Sequence, residues 1–261
     1  MRIVRFRFQE KIKYGILQNN DIKSFSEDPF NHFKISGSLP IPDGSTYNLD
    51  EVRLLSPCLP SKVVGVGLNY PKHIDEVDFD PPQVPIIFLK PSTAVIGPED
   101  NIILKRPSAH VVFEGEFGVV IGKIAKDVPE EKAKEYIMGY TCCNDVSDRD
   151  ALKEDNLQAT RGKGFDTFAP IGPWIETEID PDDLKIETYL NGEQHQSART
   201  SGLIFKIPKL INFISGVMTL LPGDVIATGT PAGVGQMNPG DVVEVKIEKI
   251  GTLKNYLVGQ A

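Results

Sequence analysis

The stretch HVVFEGEFGVVI, residues 110–121, combines a long apolar run with two acids. It predicts a strand over 110–122, in which Glu114 and Glu116 stand two residues apart, so that both side chains point to one face. Buried carboxylates that lie close together repel each other and need a cation. The apolar neighbours leave little room for a solvent-facing side, and the segment therefore favours a metal site. A solvated acidic face is the alternative.

A third carboxylate would complete a site for a hard cation such as Mg²⁺, which binds oxygen ligands octahedrally and takes only a few of them from the protein. Asp145, in a strand predicted over 140–147, is the candidate. Asp148 and Asp150 follow it, and they are equally explained as turn or helix-start acids. The four histidines are scattered and the three cysteines form no Cys-x-x-Cys pair, so no zinc site is predicted.

His73 and Glu76 lie three residues apart in GLNYPKHIDE, directly after a strand predicted over 62–67. On even one helical turn they would face the same way, and a histidine oriented by a carboxylate is the arrangement of a general base. Spacing alone favours a surface histidine in an acidic loop. Residues 71–84 are rich in acids and prolines and fit no strand or helix of useful length, so we interpret them as a lid.

Two lysines and one loop are further candidates for anion binding. Lys163 in RGKGFD and Lys90 in FLKPST lie within glycine- or proline-containing turns and can hold a substrate carboxylate, although most lysines only contact solvent. The glycine-rich residues 223–235 lack the Gly-Lys-Ser/Thr ending of a nucleotide P-loop. We interpret them as a tight loop that offers backbone N–H groups and the Thr230 hydroxyl to a bound anion.

Composition describes an ordinary globular protein: 261 residues, 40% hydrophobic and 25% charged, with 23 glycines and 20 prolines. The net charge of −8 makes nucleic acid and anionic membranes poor partners. No apolar stretch is long enough to span a bilayer, and an odd count of three cysteines fits a reducing compartment. The adjacent Cys142 and Cys143, in a predicted strand, fit core positions better than the role of a nucleophile. We therefore expect a soluble, cytoplasmic protein with no membrane partner.

Short strands dominate the predicted secondary structure. One predicted helix opens at Pro129 and stops before Gly139, and a second, amphipathic one covers 207–221. Breaker residues crowd 26–60, which predicts a connecting segment. The chain is thus divided into a small N-terminal β unit with its connecting segment (1–60) and a main β-rich α+β domain (61–261). The predicted strands are 2–8, 12–18, 62–67, 85–89, 101–104, 110–122, 140–147, 184–190, 224–228 and 240–248.

Seven motifs, in order and at matching spacing, resemble the fumarylacetoacetate hydrolase family over nearly all of residues 61–258. The resemblance implies a mixed β-sandwich roll, a bound Mg²⁺ or Mn²⁺ ion, and a homodimer or higher assembly. The motifs are GLNYPKHIDE, FLKPSTAVIGP, FEGEFGVVIG, GYTCCNDVSDRD, RGKGFDTFAPIGPW, LPGDVIATGTPAGVG and GDVVEVKIEKIGTLKN.

The resemblance also implies roles for individual residues. Lys90 matches the lysine of a Lys-Pro-Ser motif, whose role stays open. This chain departs from the family at Asp148, where alanine is usual, and at 199–203, where RTSGL replaces Asn-Thr-Ser-Asp-Met. The matched positions are the metal-binding carboxylates Glu114, Glu116 and Asp145, the catalytic pair His73 and Glu76, Lys163 beside the metal, Thr230 at the substrate carboxylate, and Arg149 close to the metal site.

The implied function is a divalent-metal-dependent hydrolase that cleaves a C–C bond in a 2,4-dioxo acid, such as an acylpyruvate or a fumarylacetoacetate-like acid, through a metal-bound enolate. The same enolate serves an isomerase or decarboxylase of 2-hydroxyhepta-2,4-diene-1,7-dioate or of oxaloacetate-like acids, and the resemblance does not choose among these reactions. A non-catalytic, metal-stabilised binding protein is the alternative from another class. His73 and Glu76 count against it, because a pure binder has no use for a base.

Overall fold

The computed structural model describes residues 1–105, 110–154 and 158–259. Strands dominate this part of the chain, and short helices lie between some of them. The first ten strands are β1 (Arg2–Phe8), β2 (Lys11–Gln18), β3 (Asp21–Phe25), β4 (Pro42–Asn48), β5 (Arg53–Leu55), β6 (Lys62–Gly67), β7 (Ile86–Pro91), β8 (Val95–Ile96), β9 (Asn101–Leu104) and β10 (Val111–Phe113).

The remaining strands are β11 (Gly115–Ile121), β12 (Ile137–Asn144), β13 (Ser147–Asp148), β14 (Ala169–Glu176), β15 (Lys185–Leu190), β16 (Glu193–Arg199), β17 (Val225–Ala227), β18 (Gly235–Gln236), β19 (Val242–Ile247) and β20 (Gly251–Gly259). The α-helices are α1 (Pro29–Ser36), α2 (Pro71–Glu76), α3 (Arg149–Glu154), α4 (Ala159–Lys163) and α5 (Ile207–Val217). Four 3₁₀ segments complete the described elements: Leu49–Glu51, Ser92–Ala94, Glu130–Tyr136 and Thr200–Gly202.

Within the described ranges the strands form three sheets. The largest runs β4-β3-β2-β1-β14-β12-β11-β17-β6-β7, with β5 paired to β1 and β8 paired to β14. A five-stranded sheet runs β16-β15-β19-β20-β9, and a small one runs β13-β10-β18. Most pairs are antiparallel, whereas β6 with β17, β8 with β14 and β9 with β20 are parallel. The prediction of a β-rich, mixed-sheet α+β fold is confirmed.

The main core lies between the largest sheet and the five-stranded sheet. Alternate residues of β11, such as Phe117 and Val119, pack in one buried cluster with Ile186 of β15 and Val245 of β19. This is the sandwich arrangement, in which each sheet turns its apolar face inward. Helix α5 covers the same cluster with its apolar face, which includes Leu210, and it ends at Val217, four residues earlier than the sequence pattern predicts.

The expectation of an unstructured connection over 26–60 is wrong, because α1, β4 and β5 lie in it. Three of its breaker residues, Pro29, Gly37 and Pro42, stand at the ends of these elements. Asp28 caps α1 by accepting hydrogen bonds from the backbone N–H groups of Phe30 and Asn31, Pro29 opens the helix, and Gly37 closes it with φ of 71°. Strands β1 to β5 all belong to the largest sheet, which they join where β1 pairs with β14.

Two predicted strands are interrupted where the acids lie. The strand predicted over 110–122 breaks at Glu114, so that β10 belongs to the small sheet and β11 to the largest one. The strand predicted over 140–147 ends at Asn144, and Asp145 follows it. Side chains satisfy backbone groups at the first break, because Asn144 Oδ1 accepts from Glu114 N at 3.0 Å. A pattern of apolar residues cannot predict such a hydrogen bond, so it does not predict the break in the strand.

Two helix predictions also change. The helix expected to open at Pro129 is the 3₁₀ segment Glu130–Tyr136, whose polar sequence buries only Ala133 and lacks the apolar face that stabilises an α-helix. Residues 71–84, expected to hold no regular element, begin with the six-residue helix α2. In the described part of the chain, no helix has both the length and the apolar character needed to cross a membrane.

Candidate active site

Three carboxylates meet where β10, β11 and β12 end or begin. One oxygen from each of Glu114, Glu116 and Asp145 lies within 4.8 Å of the others. The register of β11 with β12 places Glu116 opposite Cys143, and the backbone N–H of Asp145 donates to Glu114 O at 2.8 Å. All three residues are 5% exposed or less, so the alternative of a solvated acidic face is wrong.

Lysine and arginine side chains surround two of these acids. Lys163 Nζ lies 2.8 Å from Glu114 Oε2, 2.6 Å from Asp145 Oδ2 and 2.7 Å from the hydroxyl oxygen of Ser147. Arg149 Nη2 lies 2.9 Å from Glu114 Oε1. Lys90 Nζ, which is buried, contacts Asp145 Oδ1 and donates to the carbonyl of Val146 at 2.9 Å.

These contacts set the charge states. Burial alone would raise the pKa of Asp145 and lower that of Lys163. The charges of Lys163 and Lys90 nevertheless hold the pKa of Asp145 below its usual value, and the Asp145 and Glu114 carboxylates raise the pKa of Lys163. Burial and repulsion from Lys163 lower the pKa of Lys90. Asp145 and Lys163 are therefore an ionised pair.

Glu116 has a different environment. Burial, together with the charges of Asp145 and Glu114, raises its pKa well above the ordinary value, and the backbone N–H of Gly229, 2.9 Å from Oε2, compensates only in part. Among the described residues, no lysine or arginine forms an ion pair with Glu116. A divalent cation would supply the missing positive charge, and three carboxylates are the oxygen donors that Mg²⁺ and Mn²⁺ prefer. The donor set therefore fits such an ion.

His73 and Glu76 form a pair on α2. His73 Nδ1 lies 2.8 Å from Glu76 Oε2, and the other carboxylate oxygen of Glu76 accepts from the backbone N–H of Gly233 at 2.9 Å. His73 is 5% exposed, so the alternative of a surface histidine in an acidic loop is wrong. The Gly233 bond joins α2 to the glycine-rich loop, which fixes the carboxylate that orients the imidazole.

A cavity of about 420 Å³ lies beside this pair. His73 and Glu76 line one part of it, and His110, Arg149 and Lys153 line another. The Arg149 guanidinium also contacts Glu114, so one side chain of the cavity wall touches the carboxylate site. The histidine pair and the carboxylates are thus candidates for one site.

The glycine-rich loop, expected to offer N–H groups to an anion, donates two of them to acids of the site itself, Glu116 from Gly229 and Glu76 from Gly233. The Thr230 hydroxyl also bonds within the protein: it accepts from Gln196 Nε2 at 2.8 Å and donates to Gly115 O at 3.0 Å. The loop thus holds the Glu116 and Glu76 carboxylates in place through hydrogen bonds.

The sequence also held residues of the site that its pattern did not reveal. Gln196 lies in the polar sequence EQHQSAR, which is typical of a solvent-exposed strand, and nothing in that sequence distinguishes it from its neighbours. Asn144 had a signal, its position beside Asp145. Asp148 accepts from the backbone N–H of Ala151 at 2.9 Å, which is the contact of a helix-start acid. Asp150 Oδ2 accepts from the backbone N–H of His110 at 2.8 Å.

Comparisons with known proteins identify the family. Residues 62–258 match the family described as "Fumarylacetoacetate (FAA) hydrolase C-terminal", and residues 1–57 match "Rv2993c-like, N-terminal". An uncharacterised protein of Archaeoglobus fulgidus is 53% identical over 226 residues, which cover 87% of this chain and 90% of that protein.

Two solved structures resemble the whole fold. One, titled 5-carboxymethyl-2-hydroxymuconate delta-isomerase from Mycobacterium smegmatis, has a TM-score of 0.91 and 44% identity and covers 100% of both chains. The other, a maleylpyruvate hydrolase from Sphingobium sp. SYK-6 in complex with manganese(II) and pyruvate, has a TM-score of 0.80 and 30% identity, again over 100% of both chains. Because residues 62–258, which are most of the chain, match the family, this chain belongs to the fumarylacetoacetate hydrolase family.

Proposed function

We propose that the protein is a divalent-metal-dependent hydrolase that cleaves a C–C bond in a 2,4-dioxo acid. The observation that carries the proposal is the position of Arg149, which lines the same cavity as the His73–Glu76 pair and also contacts Glu114 of the carboxylate triad. Glu114, Glu116 and Asp145 would hold Mg²⁺ or Mn²⁺. When bound, the ion supplies Lewis-acid chemistry, polarising the oxygens of a 2-oxo acid and stabilising negative charge as it develops.

His73 would act as the general base. The Glu76 carboxylate would accept a hydrogen bond from Nδ1–H, which leaves Nε2 as the basic nitrogen that removes a proton from water. The bond from Gly233 N–H keeps the carboxylate in place during this step. The activated water would attack the second carbonyl, and the bond between that carbon and the neighbouring CH₂ would break. The bonding electrons would stay on the CH₂ carbon of the pyruvate part as an enolate, which would take up the proton held by His73.

Lys163 would stabilise the negative charge that the bond cleavage leaves on the pyruvate part. Its ammonium group stays protonated because Asp145 and Glu114 raise its pKa. Arg149 reaches the cavity and is better placed than Thr230 to bind a substrate carboxylate, since the Thr230 hydroxyl is engaged by Gly115 and Gln196. We therefore assign substrate binding to Arg149 first.

An isomerase or decarboxylase is the second candidate, favoured by the whole-chain similarity to the Mycobacterium smegmatis structure titled as an isomerase. Both reactions pass through the same kind of enolate and need no activated water. A non-catalytic metal-binding protein remains the third. The expected homodimer, the cytoplasmic location and the small 2-oxo or 2,4-dioxo acid substrate stay predictions.

The deciding experiment assays acetylpyruvate, oxaloacetate and 2-hydroxyhepta-2,4-diene-1,7-dioate with metal-free protein, then with Mg²⁺ or Mn²⁺. We expect acetylpyruvate to give acetate and pyruvate only when the ion is present. The Glu114→Gln variant should be inactive, whereas Glu193→Gln, which changes an exposed acid on β16, should match the wild type. Full activity in excess chelator would disprove the metal-dependent function, and turnover of the dioate alone would favour the isomerase.

A further inference from the structure

Gln196 is a buried polar residue on a strand that is otherwise largely exposed. It belongs to β16, the edge strand of the five-stranded sheet, and it is 0% exposed, although both of its chain neighbours are exposed. A buried primary amide must use its hydrogen-bonding groups, or its burial is unfavourable. The partners of this amide are therefore informative.

The Gln196 side chain bonds to the backbone between the two acids of β11. Its Oε1 accepts from Gly115 N at 3.0 Å, and its Nε2 donates to Thr230 Oγ1 at 2.8 Å and to Pro231 O at 2.6 Å. Only an oxygen can accept from the amide of Gly115, and only a nitrogen can donate to the carbonyl of Pro231, so the orientation of the side-chain amide is unambiguous.

These bonds close a ring. The Thr230 hydroxyl, which accepts from Gln196, donates to Gly115 O at 3.0 Å. The N–H of Gly115 is thus bonded to Gln196 and its C=O to Thr230, and these two side chains are bonded to each other. Since Gly115 stands between Glu114 and Glu116, the ring fixes the two peptide planes that join Gly115 to these acids.

The approach to Gly115 is too close for any other residue. A β-carbon at this position would overlap the hydroxyl oxygen of Thr188, the residue of β15 that pairs with Gln196. The five-stranded sheet therefore contacts the backbone of the carboxylate strand directly. The same ring reaches the loop whose Gly229 N–H donates to Glu116.

We infer that Gln196 is a positioning residue for the metal-binding carboxylates, holding Glu114 and Glu116 at the separation that one divalent ion requires. The inference rests on the proposed metal-dependent function. Carboxylates that are held in place before the ion arrives bind it more tightly, because less conformational entropy is lost on binding. Gln196 touches neither the ion nor the substrate, and it acts through Gly115.

The test measures Mn²⁺ affinity by calorimetry and urea unfolding of the metal-free protein, for the wild type, Gln196→Met and Gln194→Met. Gln194 lies on the same strand with an exposed side chain, and its variant is the matched control. We expect Gln196→Met to weaken Mn²⁺ binding by about 10- to 100-fold and Gln194→Met to leave it unchanged. A variant that is less stable but binds Mn²⁺ like the wild type would show a merely structural role and overturn the inference.

A second pair decides the case in which Gln196→Met does not fold. Thr230→Val removes the hydroxyl that bonds Gly115 O, whereas Thr230→Ser keeps it. Weaker Mn²⁺ binding in the valine variant with wild-type binding in the serine variant supports the ring, and equal binding in both overturns it. If the wild-type protein binds no Mn²⁺, the proposed function itself fails, so the two failures are distinguishable.

Discussion

The backbone N–H of Gly229 donates a 2.9 Å hydrogen bond to Glu116 Oε2. It is the hydrogen bond that stabilises the charge of a carboxyl whose pKa is raised well above normal by burial and by Asp145 and Glu114. One amide dipole does not offset the loss of hydration of a buried charge. In the metal-free protein, therefore, the ionised Glu116 carboxylate is unfavourable to folding, which fits a metal-binding role better than a structural one.

The first prediction is that Glu116→Gln does not destabilise the metal-free protein at neutral pH. Folding raises the pKa of this carboxyl, because its ionised form is less favourable in the folded state than in the unfolded state. The protein is therefore less stable at pH values above the ordinary pKa of a glutamate. Glutamine avoids that penalty and keeps an oxygen that accepts from the backbone N–H of Gly229. We expect the free energy of unfolding in urea to be unchanged or higher by up to about 2 kcal/mol. Mn²⁺ affinity should fall sharply. If the metal-free variant unfolds, the acid is structural.

Glu187→Gln is the matched control. A hydrogen bond from Lys185 lowers the pKa of Glu187, so its ionised form favours folding at neutral pH. This variant should lose stability and keep its Mn²⁺ affinity, which is the opposite outcome on both measurements.

The second prediction separates chemistry from binding. His73→Ala should lower kcat for acetylpyruvate hydrolysis by roughly 10²–10⁴-fold, the loss expected for a general base, with Mn²⁺ and oxalate affinity nearly unchanged. Oxaloacetate decarboxylation, which needs no activated water, should be affected much less. His32→Ala is the control, because His32 pairs with Glu27 on the surface at α1. Equal loss of both activities, or loss of the metal, would show that His73 is not the water-activating base.

The third prediction concerns the cysteines. Cys58, Cys142 and Cys143 are all buried, and burial raises the pKa of the Cys58 thiol to about 12 and those of the other two well above normal. Since the thiolate is the reactive form, an aromatic disulfide reagent at pH 8 should label no thiol in the folded protein within minutes and all three in urea. Rapid labelling of one thiol in the folded state would contradict the assignment of these residues to the core.

The fourth prediction is that oxalate, a chelating mimic of a 2-oxo acid, slows amide exchange in residues 71–84 when Mn²⁺ is present. Only a few backbone hydrogen bonds hold the end of α2, such as Phe79 N to Ile74 O at 3.2 Å, and Phe79 and Val84 are exposed. Strand β19 serves as the internal control. Equal exchange in both states would argue against a lid.

Alternating apolar patterns predicted the strands of the sandwich well, because burial on one face fixes the residue type at every second position. The same logic located the acids Glu114 and Glu116, which stand out against apolar neighbours. The sequence pattern failed at 26–60. There Pro29, Gly37 and Pro42 mark the ends of short elements, whereas a high density of such residues predicts a segment without regular structure.

The features that complete the site depend on contacts between segments far apart in the chain. At the break between β10 and β11, the backbone N–H of Glu114 bonds to the side chain of Asn144, and the N–H of Gly115 bonds to Gln196, 81 residues away. No local pattern encodes which side chain will reach a distant amide. Charge balance around Glu116 is likewise a property of the folded state, since it depends on where Lys163 and Arg149 point.

Strand β1 lies beside β14, where Ile3 pairs with Ile175. A strand whose edge is open presents unpaired N–H and C=O groups to other chains and is a template for aggregation. By occupying this edge, the first residues of the chain keep neighbouring molecules from adding to the largest sheet there. A shortened chain that began near residue 62 would keep the carboxylates and the imidazole but expose β14, and its solubility, more than its chemistry, would decide whether it could be used as an enzyme.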